Sequence, residues 1–433
     1  MKSLLLSLSL VLAVGLPAFA DLPADVKAQI ERLDADALSD RSDAEQALIK
    51  LGAPALDHLP EVTDLTPPEV AQRLARVRQA LEQAQVEEAG QSTQVTLIGE
   101  DLPLKDVIAR ISQQTGNKIV DHREEFGEEA TEPRIKLNLE KVPFWKALDE
   151  ALDKAQMTTY DFTGERGIYL INRPPNQLAR PEQACYAGPF RIEAVKFEAL
   201  RELRSPEGRS LKLYLNVAWE PRLMPVAIRQ PLGEIKAIGT GDVAIDVVGQ
   251  EGEPEASLSD ESSSAELEIP LQLPPRSVEK ITSLKGKLQI MVPGPMQTFR
   301  FEKLPIVGEG PKANAKVAKV EQRKAGVTVI VDQVRKNNDI WEVRIRVRFD
   351  KPGDSLESHR NWMFRNELYL VGPDKKRLTP GGFEQTRQTE IEVGMAYLFE
   401  LPKGPAGMTF VYQTPTTVFE LPVEYELRDL ELP

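Results

Sequence analysis

The chain has 433 residues, 41% of them hydrophobic, and 67 acidic against 54 basic side chains give a formal charge of −13. That balance repels phosphate backbones and anionic lipid heads, which argues against nucleic acid or a membrane surface as the main partner. One cysteine, Cys185, excludes a fold held by intrachain disulfides, and the length is enough for two to four domains with apolar cores of their own.

In chain order, Met1-Lys2, the apolar run at residues 4–16 and Ala18-Phe19-Ala20 read as a secretory signal peptide over 1–20, cleaved after Ala20. The chain is therefore expected in the periplasm or secreted, and no later stretch is apolar for long enough to span a bilayer. Residues 21–90 read as helices. Val26, Ile30 and Leu33 recur at helical spacing, Ser42-Asp43-Ala44-Glu45 is expected to cap a second helix, and Gly52 to end it. Pro54 opens the next helix and Pro67-Pro68-Glu69 a third. The stretch SDAEQALIKLGAPALDHLPEV resembles one HEAT-like helical repeat. Residues 83–93, polar and small, read as a linker.

The chain then repeats itself. VTLIGEDLPLKDVIARI from Val95 and IKLNLEKVPFWKALDEAL from Ile135 align at an offset of 40, matching Leu97 to Leu137, Glu100 to Glu140 and Pro103 to Pro143. Strands are expected at 95–98, 118–120, 134–139, 157–162 and 167–171. Helices are expected at 102–114, burying Leu104, Val107, Ile108 and Ile111, and at 143–155, burying Phe144, Ala147, Leu148, Ala151 and Leu152. The order is β-α-β-β-α-β-β, with a proline at the first helical position. Together the two phrases, over 93–173, resemble the secretin and TonB short N-terminal domain. That resemblance implies contact with another protein outside the inner membrane.

Residues 172–188 are proline-rich and read as a second linker. Beyond them the pattern is all strand. LKLYLNVAW sets Leu211, Leu213, Leu215, Val217 and Trp219 on one face, and AELEIPLQL does the same with Leu267, Ile269 and Leu271. Two consecutive β-sandwiches are expected, at 189–307 and 313–433, with a linker at 308–315. They resemble the immunoglobulin-like sandwiches of uncharacterised secreted bacterial proteins. The expected fold class is multidomain α+β: a small helical unit, the β-α-β-β-α-β-β module and two all-β sandwiches.

Chemical motifs are sparse. The three histidines, His58, His122 and His359, fall in different parts, and no HExxH, CxxC or Gly-x-Ser-x-Gly occurs. No catalytic residue, cofactor or metal site is expected, and the protein reads as a non-enzyme. Acid-rich segments at 121–133 and 251–266 match no calcium loop and read as solvated loops, with loose divalent-cation binding as the alternative. Cys185 reads as a small buried hydrophobe, with an intermolecular disulfide or a reactive thiol as the alternatives. Five residues stand as contact candidates. Trp145 lies beside its helix's apolar face, either covering the core edge or anchoring a partner. Trp219 ends a strong strand, as a plug or a ligand contact. Arg344, Arg346 and Arg348 alternate along one strand, where they either bind a polyanion or pair with acids on the neighbouring strand. The leading expectation is a non-catalytic envelope protein that binds another envelope or secreted protein through the doubled module. The alternative is a carbohydrate-binding or carbohydrate-active surface protein, with a polysaccharide on the sandwiches.

Overall fold

The computed structural model describes residues 22–433 apart from 61, 63–64, 161–165, 181–183, 205–207, 257, 259–261, 295, 308–317, 351 and 357–360. The expected signal peptide, the 308–315 linker and His359 lie outside the described residues. The chain is mixed α+β, dominated by β-sheet, and divides into two compact units, 1–84 and 85–433.

The first unit contains α1 (Leu22–Arg32), α2 (Leu38–Lys50), a 3₁₀ turn (Ala53–His58) and the start of α3 (Pro68–Ala89). Val26, Leu33, Ala44, Leu48, Leu74, Val77 and Leu81 form its core. Gly52 takes a φ of 77° where the chain leaves α2, a conformation that favours glycine. The expected cap at Ser42 is corrected: α2 begins a full turn earlier, after an extended Ala37. Arg41 donates to the carbonyls of Ala35 and Asp36 and so holds the entry to the helix. Glu45 is then free to turn inward, where it accepts hydrogen bonds from Arg73 at 2.7 Å and Arg76 at 2.7 and 2.8 Å. The bonds from Arg76 lead those that hold its carboxyl below the usual range. The linker expected from residue 83 is helix through Ala89, because Gln, Glu and Ala favour helix and no Gly or Pro interrupts them before Gly90.

The second unit opens with the doubled segment: β1 (Gln94–Pro103), α4 (Leu104–Thr115), β2 (Ile119–Asp121), β3 (Arg134–Pro143), α5 (Phe144–Lys154), β4 (Met157–Tyr160) and β5 (Ile168–Asn172). Strands β1 and β3 pair antiparallel, Gln94 opposite Pro143 and Pro103 opposite Arg134, with two register shifts between. The repeat is thereby a local two-fold: the N–H of Leu104 donates to Pro133 at 3.0 Å, and that of Phe144, its counterpart, to Thr93 at 2.9 Å. Each proline precedes its helix in an extended conformation, at φ/ψ of −60/135° and −54/142°, instead of occupying the first helical position. The position after it needs an N–H for the partner strand, and proline has none.

The all-β part follows. Its first half holds β6 (Ala184–Ala187), β7 (Phe190–Arg201), β8 (Arg209–Trp219), β9 (Ala227–Arg229), β10 (Lys236–Gly239), β11 (Val243–Ile245), β12 (Glu255–Ala256), β13 (Ser264–Leu271) and β14 (Lys280–Pro293). Its second half holds β15 (Met296–Phe301), β16 (Val320–Lys324), β17 (Val327–Asn337), β18 (Ile340–Phe349), β19 (Leu368–Val371), β20 (Arg377–Leu378), β21 (Gly382–Gln388), β22 (Glu392–Phe399), β23 (Thr409–Pro415) and β24 (Val418–Glu431). Sheet β13-β8-β7-β6 shares one apolar core with the sheet built on β14, and sheet β16-β17-β18-β22-β21 shares another with β15-β23-β19-β20.

Two pairings depart from the expected division. Strand β6 lies inside the proline-rich stretch read as a linker, and its Cys185 packs half-buried against the first core, where burial pushes the thiol up. Strand β24, expected to close the second set, instead pairs with β14 along its whole length. Lys280 faces Glu431, Pro293 faces Val418, Met296 faces Pro415 and Phe301 faces Phe410. The register never slips, so β14–β15 and β23–β24 are one antiparallel ribbon that passes from the first core into the second. The N–H of Gly294 donates to Thr417 at 2.8 Å across the step between them.

Candidate functional site

The module's helix α5 is turned inward, against the first all-β core. Trp145 is 3% exposed, and its indole N–H donates to the carbonyl of Pro189 at 3.1 Å. The Arg191 guanidinium lies 4.4 Å from that ring and donates to Asp149 at 2.8 Å, with both charged side chains 1% exposed. Tyr186 donates to the other oxygen of Asp149 at 2.9 Å. A second buried node is Glu220, 0% exposed, which accepts from the N–H and hydroxyl of Thr93 at 2.8 Å each and from Arg222 at 2.9 Å. Arg222 also reaches the carbonyl of Gln91. Buried charges paired in this way favour a single arrangement, because a slip leaves a charge without its partner. Trp145 is thus buried within the chain, as the first of its two readings, covering the core edge, has it, and is not an exposed anchor.

What this leaves open is the other side of the module. Strand β2 is the edge of the sheet β2-β5-β4. The N–H of Ile168 donates to Lys118, and that of His122 to Leu170, at 2.9 and 3.0 Å. Residues 118, 120 and 122 therefore face β5, and Ile119 and Asp121 turn their N–H and C=O groups outward. The opposite edge, β4, is covered: Met157 is 1% and Thr158 4% exposed. The free sides of β1 and β3 are broken by their register shifts, which blunt an edge. Beside β2 runs a shallow groove of about 450 Å³, with Ile108 and Ala109 of α4 and Ile119 in its lining and Lys105, Gln113 and Asp121 among its polar groups.

The acid-rich segment 121–133 supports this edge and is not simply a solvated loop. Arg123, 2% exposed, clasps Asp121 at 2.7 and 2.9 Å and donates to the carbonyl of Thr131 at 2.8 Å. Burial raises the Asp121 pKa, but the bonds from Arg123 outweigh it and hold the carboxyl below its ordinary value. Glu132 accepts the N–H of Lys105 in the first turn of α4, and Glu128 that of Asn172. His122 pairs with Glu125 at 2.7 Å and packs edge-on to Tyr169. Sequence reasoning missed these roles; Glu128 and Glu132 answer backbone N–H groups 44 and 27 residues away.

The remaining candidates are committed elsewhere. Trp219 is 3% exposed at the end of β8. Arg346 binds Asp332 of β17 through two bonds, 2.7 and 2.9 Å, and Glu392 of β22 at 3.0 Å. Arg344 shares Glu342 with Arg335, and Arg348 lies in register between Thr328 and Glu392. Burial raises the Glu342 pKa, but bonds from Arg335, Asn337 and Arg344 prevail and bring it down to about 2. Arg346 takes the second of the two roles the spacing suggests, pairing with acids on both neighbouring strands, while Arg344 pairs with Glu342 of its own strand. Among the described residues no cluster of three His, Cys, Asp or Glu is placed to hold a metal.

Comparison with family models and with curated proteins finds no match. A crystal structure titled as that of the conserved domain protein from Bacillus anthracis is similar over 51% of this chain and 72% of that one, at 10% identity and a TM-score of 0.15. A likeness at that level transfers neither fold nor function.

Proposed function

We propose that the protein binds another protein, taking an extended segment of it as an added strand along β2, with the α4 groove receiving alternate side chains. The carrying observation is the β2 edge of the sheet β2-β5-β4 beside that groove. Main-chain bonds along an edge supply affinity, and pockets for every second side chain supply specificity. The element order β-α-β-β-α-β-β supports the resemblance to the secretin and TonB short N-terminal domain. The facing sheets with shared cores support reading the all-β part as immunoglobulin-like sandwiches that space and orient the module. We place the protein in the periplasm or outside the cell on its N-terminal sequence, and read it as non-catalytic. A polysaccharide role draws less support, since the large exposed aromatics, Phe126 and Phe383, sit in separate parts of the chain and form no platform.

The test is Ile119→Pro. It removes an outward N–H, while the bonds from β2 to β5 use the neighbouring residues. Crosslinking and affinity capture from native envelopes should recover a protein partner with the wild type and lose it with the variant, which circular dichroism should show still folded at the temperature of the assay. Equal recovery by both would exclude β2. Retention on an acidic polysaccharide with no protein recovered would favour the carbohydrate reading.

A further inference from the structure

Strands β1 and β3 make a two-stranded sheet of their own, so each has one side that pairs with no strand of that sheet. The two sides are treated alike. Thr96 and Lys136 hold the same place in the two copies of the doubled segment, and each lies at a step in register where one residue faces two on the partner strand. The N–H of Thr96 donates to Oε1 of Gln114 at 2.8 Å, and Nε2 of Gln114 donates back to the Thr96 carbonyl at 3.0 Å. The carbonyl of Lys136 accepts from Nζ of Lys154 at 2.9 Å, and Glu150 holds that ammonium at 2.8 Å. Gln114 and Lys154 are equivalent in turn, at the C-terminal ends of α4 and α5. An amide in one copy and an ammonium in the other serve the same backbone position, so what the two share is its occupation. The Gln114 amide goes further. By accepting from and donating to one residue, it fills both groups that an added antiparallel strand would use.

The two edges differ in how much they need closing. Strand β3 carries Arg134, Lys136, Glu140 and Lys141, and charges along an edge resist pairing with another strand. From Gln94 to Gly99, β1 carries no charge. It reads QVTLIG, with Val95 and Leu97 buried in the module core and Ile98 61% exposed. An uncharged run of high strand propensity along an edge is a template for another chain. The module itself sets which chain that would be, because β1 already pairs antiparallel with the second copy of its own phrase. Another molecule of the protein offers the same phrases. We propose that Gln114 is a gatekeeper: by filling the backbone groups of Thr96 it keeps β1 from accepting a strand of a second copy of this chain. Lys154 does the same for β3. This role is separate from strand addition at β2 and stands whether or not that edge binds a partner.

The full chain carrying Gln114→Ala would be compared with the wild type by sedimentation across a range of concentrations and by hydrogen exchange at the Thr96 amide. Gln114 is exposed and alanine favours helix, so circular dichroism should show the variant folded. Its mass should rise with concentration to about twice that of the wild type. The Thr96 amide, protected in the wild type, should exchange faster in dilute variant and slow again as the chains associate. Adding Thr96→Pro, which removes the outward N–H, should return the mass to that of the wild type. An unchanged mass for Gln114→Ala, or a Thr96 amide that exchanges equally in both proteins, would overturn the proposal. So would an association that Thr96→Pro leaves intact, or one that Ile119→Pro abolishes, which would assign it to β2.

Discussion

Removing the Asp149 carboxylate should loosen the module from the first all-β core, by an amount the geometry sets. Asp149→Ala deletes the acceptor for Arg191 at 2.8 Å and for Tyr186 at 2.9 Å. It removes the carboxylate that a guanidinium 1% exposed is paired with, the Trp145 ring at 4.4 Å and Thr159 at 3.4 Å being among its other neighbours. Stranding one member of a buried pair costs about 3–5 kcal/mol. Replacing both with apolar groups of similar length, Asp149→Leu with Arg191→Met, removes the stranded charge and should fall within about 1–2 kcal/mol of wild type. Urea unfolding of the wild type, the two single variants and the pair gives the coupling directly, and trypsin digestion reports whether the module is released. A cost below about 1 kcal/mol for Asp149→Ala, or a double variant as weak as the sum of the singles, would refute the claim that this pair cements the junction.

Three further outcomes follow from the sheets. Glu342, with a carboxyl pKa near 2 against 4.5 for the free group, contributes stability that is fully present above pH 4.5 and is lost as pH falls toward 2. The difference is worth about 3 kcal/mol, so Glu342→Gln should show that deficit in urea unfolding at pH 7 and a shrinking one from pH 4.5 downward. Gly286 faces Tyr425 across the ribbon, and a Cβ there would stand 2.4 Å from the tyrosine oxygen. Gly286→Val should therefore displace the ring, break its bond to Gln230 and cost about 2 kcal/mol or more, seen as a lowered melting temperature. Ending the chain after Thr416 should leave the second core protease-resistant and the first one cleaved, because Leu421, Val423, Tyr425 and Leu427 belong to the first. Equal resistance of both would argue against the pairing of β24 with β14.

The module was legible because its signals are local. Apolar spacing in α4 and α5, alternation in β3 and the repeated Pro-led corners all act within a turn or two, so order and burial were readable from Val95 to Ile171. The destination of a strand is not local. VFELPVEYEL announces one buried face through Leu421, Val423 and Tyr425, but nothing in it says which core receives that face. Strand β6 was obscured by the prolines before it. At the candidate site the groove residues Ile108 and Ile119 were visible as apolar positions, whereas the groove they line depends on how α4 and β2 meet in the fold. The arginine stripe was visible, and the partners of Arg346, Asp332 and Glu392, lie on strands before and after it.

The shared ribbon also sets an order of events. A chain made from its N-terminus presents β7, β8, β13 and β14 long before β24 exists, so the first core stays open along β14 until β24 has been added. The second core encloses β15 to β23 and can close sooner. Completion of the N-terminal half thus waits on the C-terminal end, and a chain cut short anywhere before Val418 holds an unfinished sheet edge that quality-control proteases can recognise.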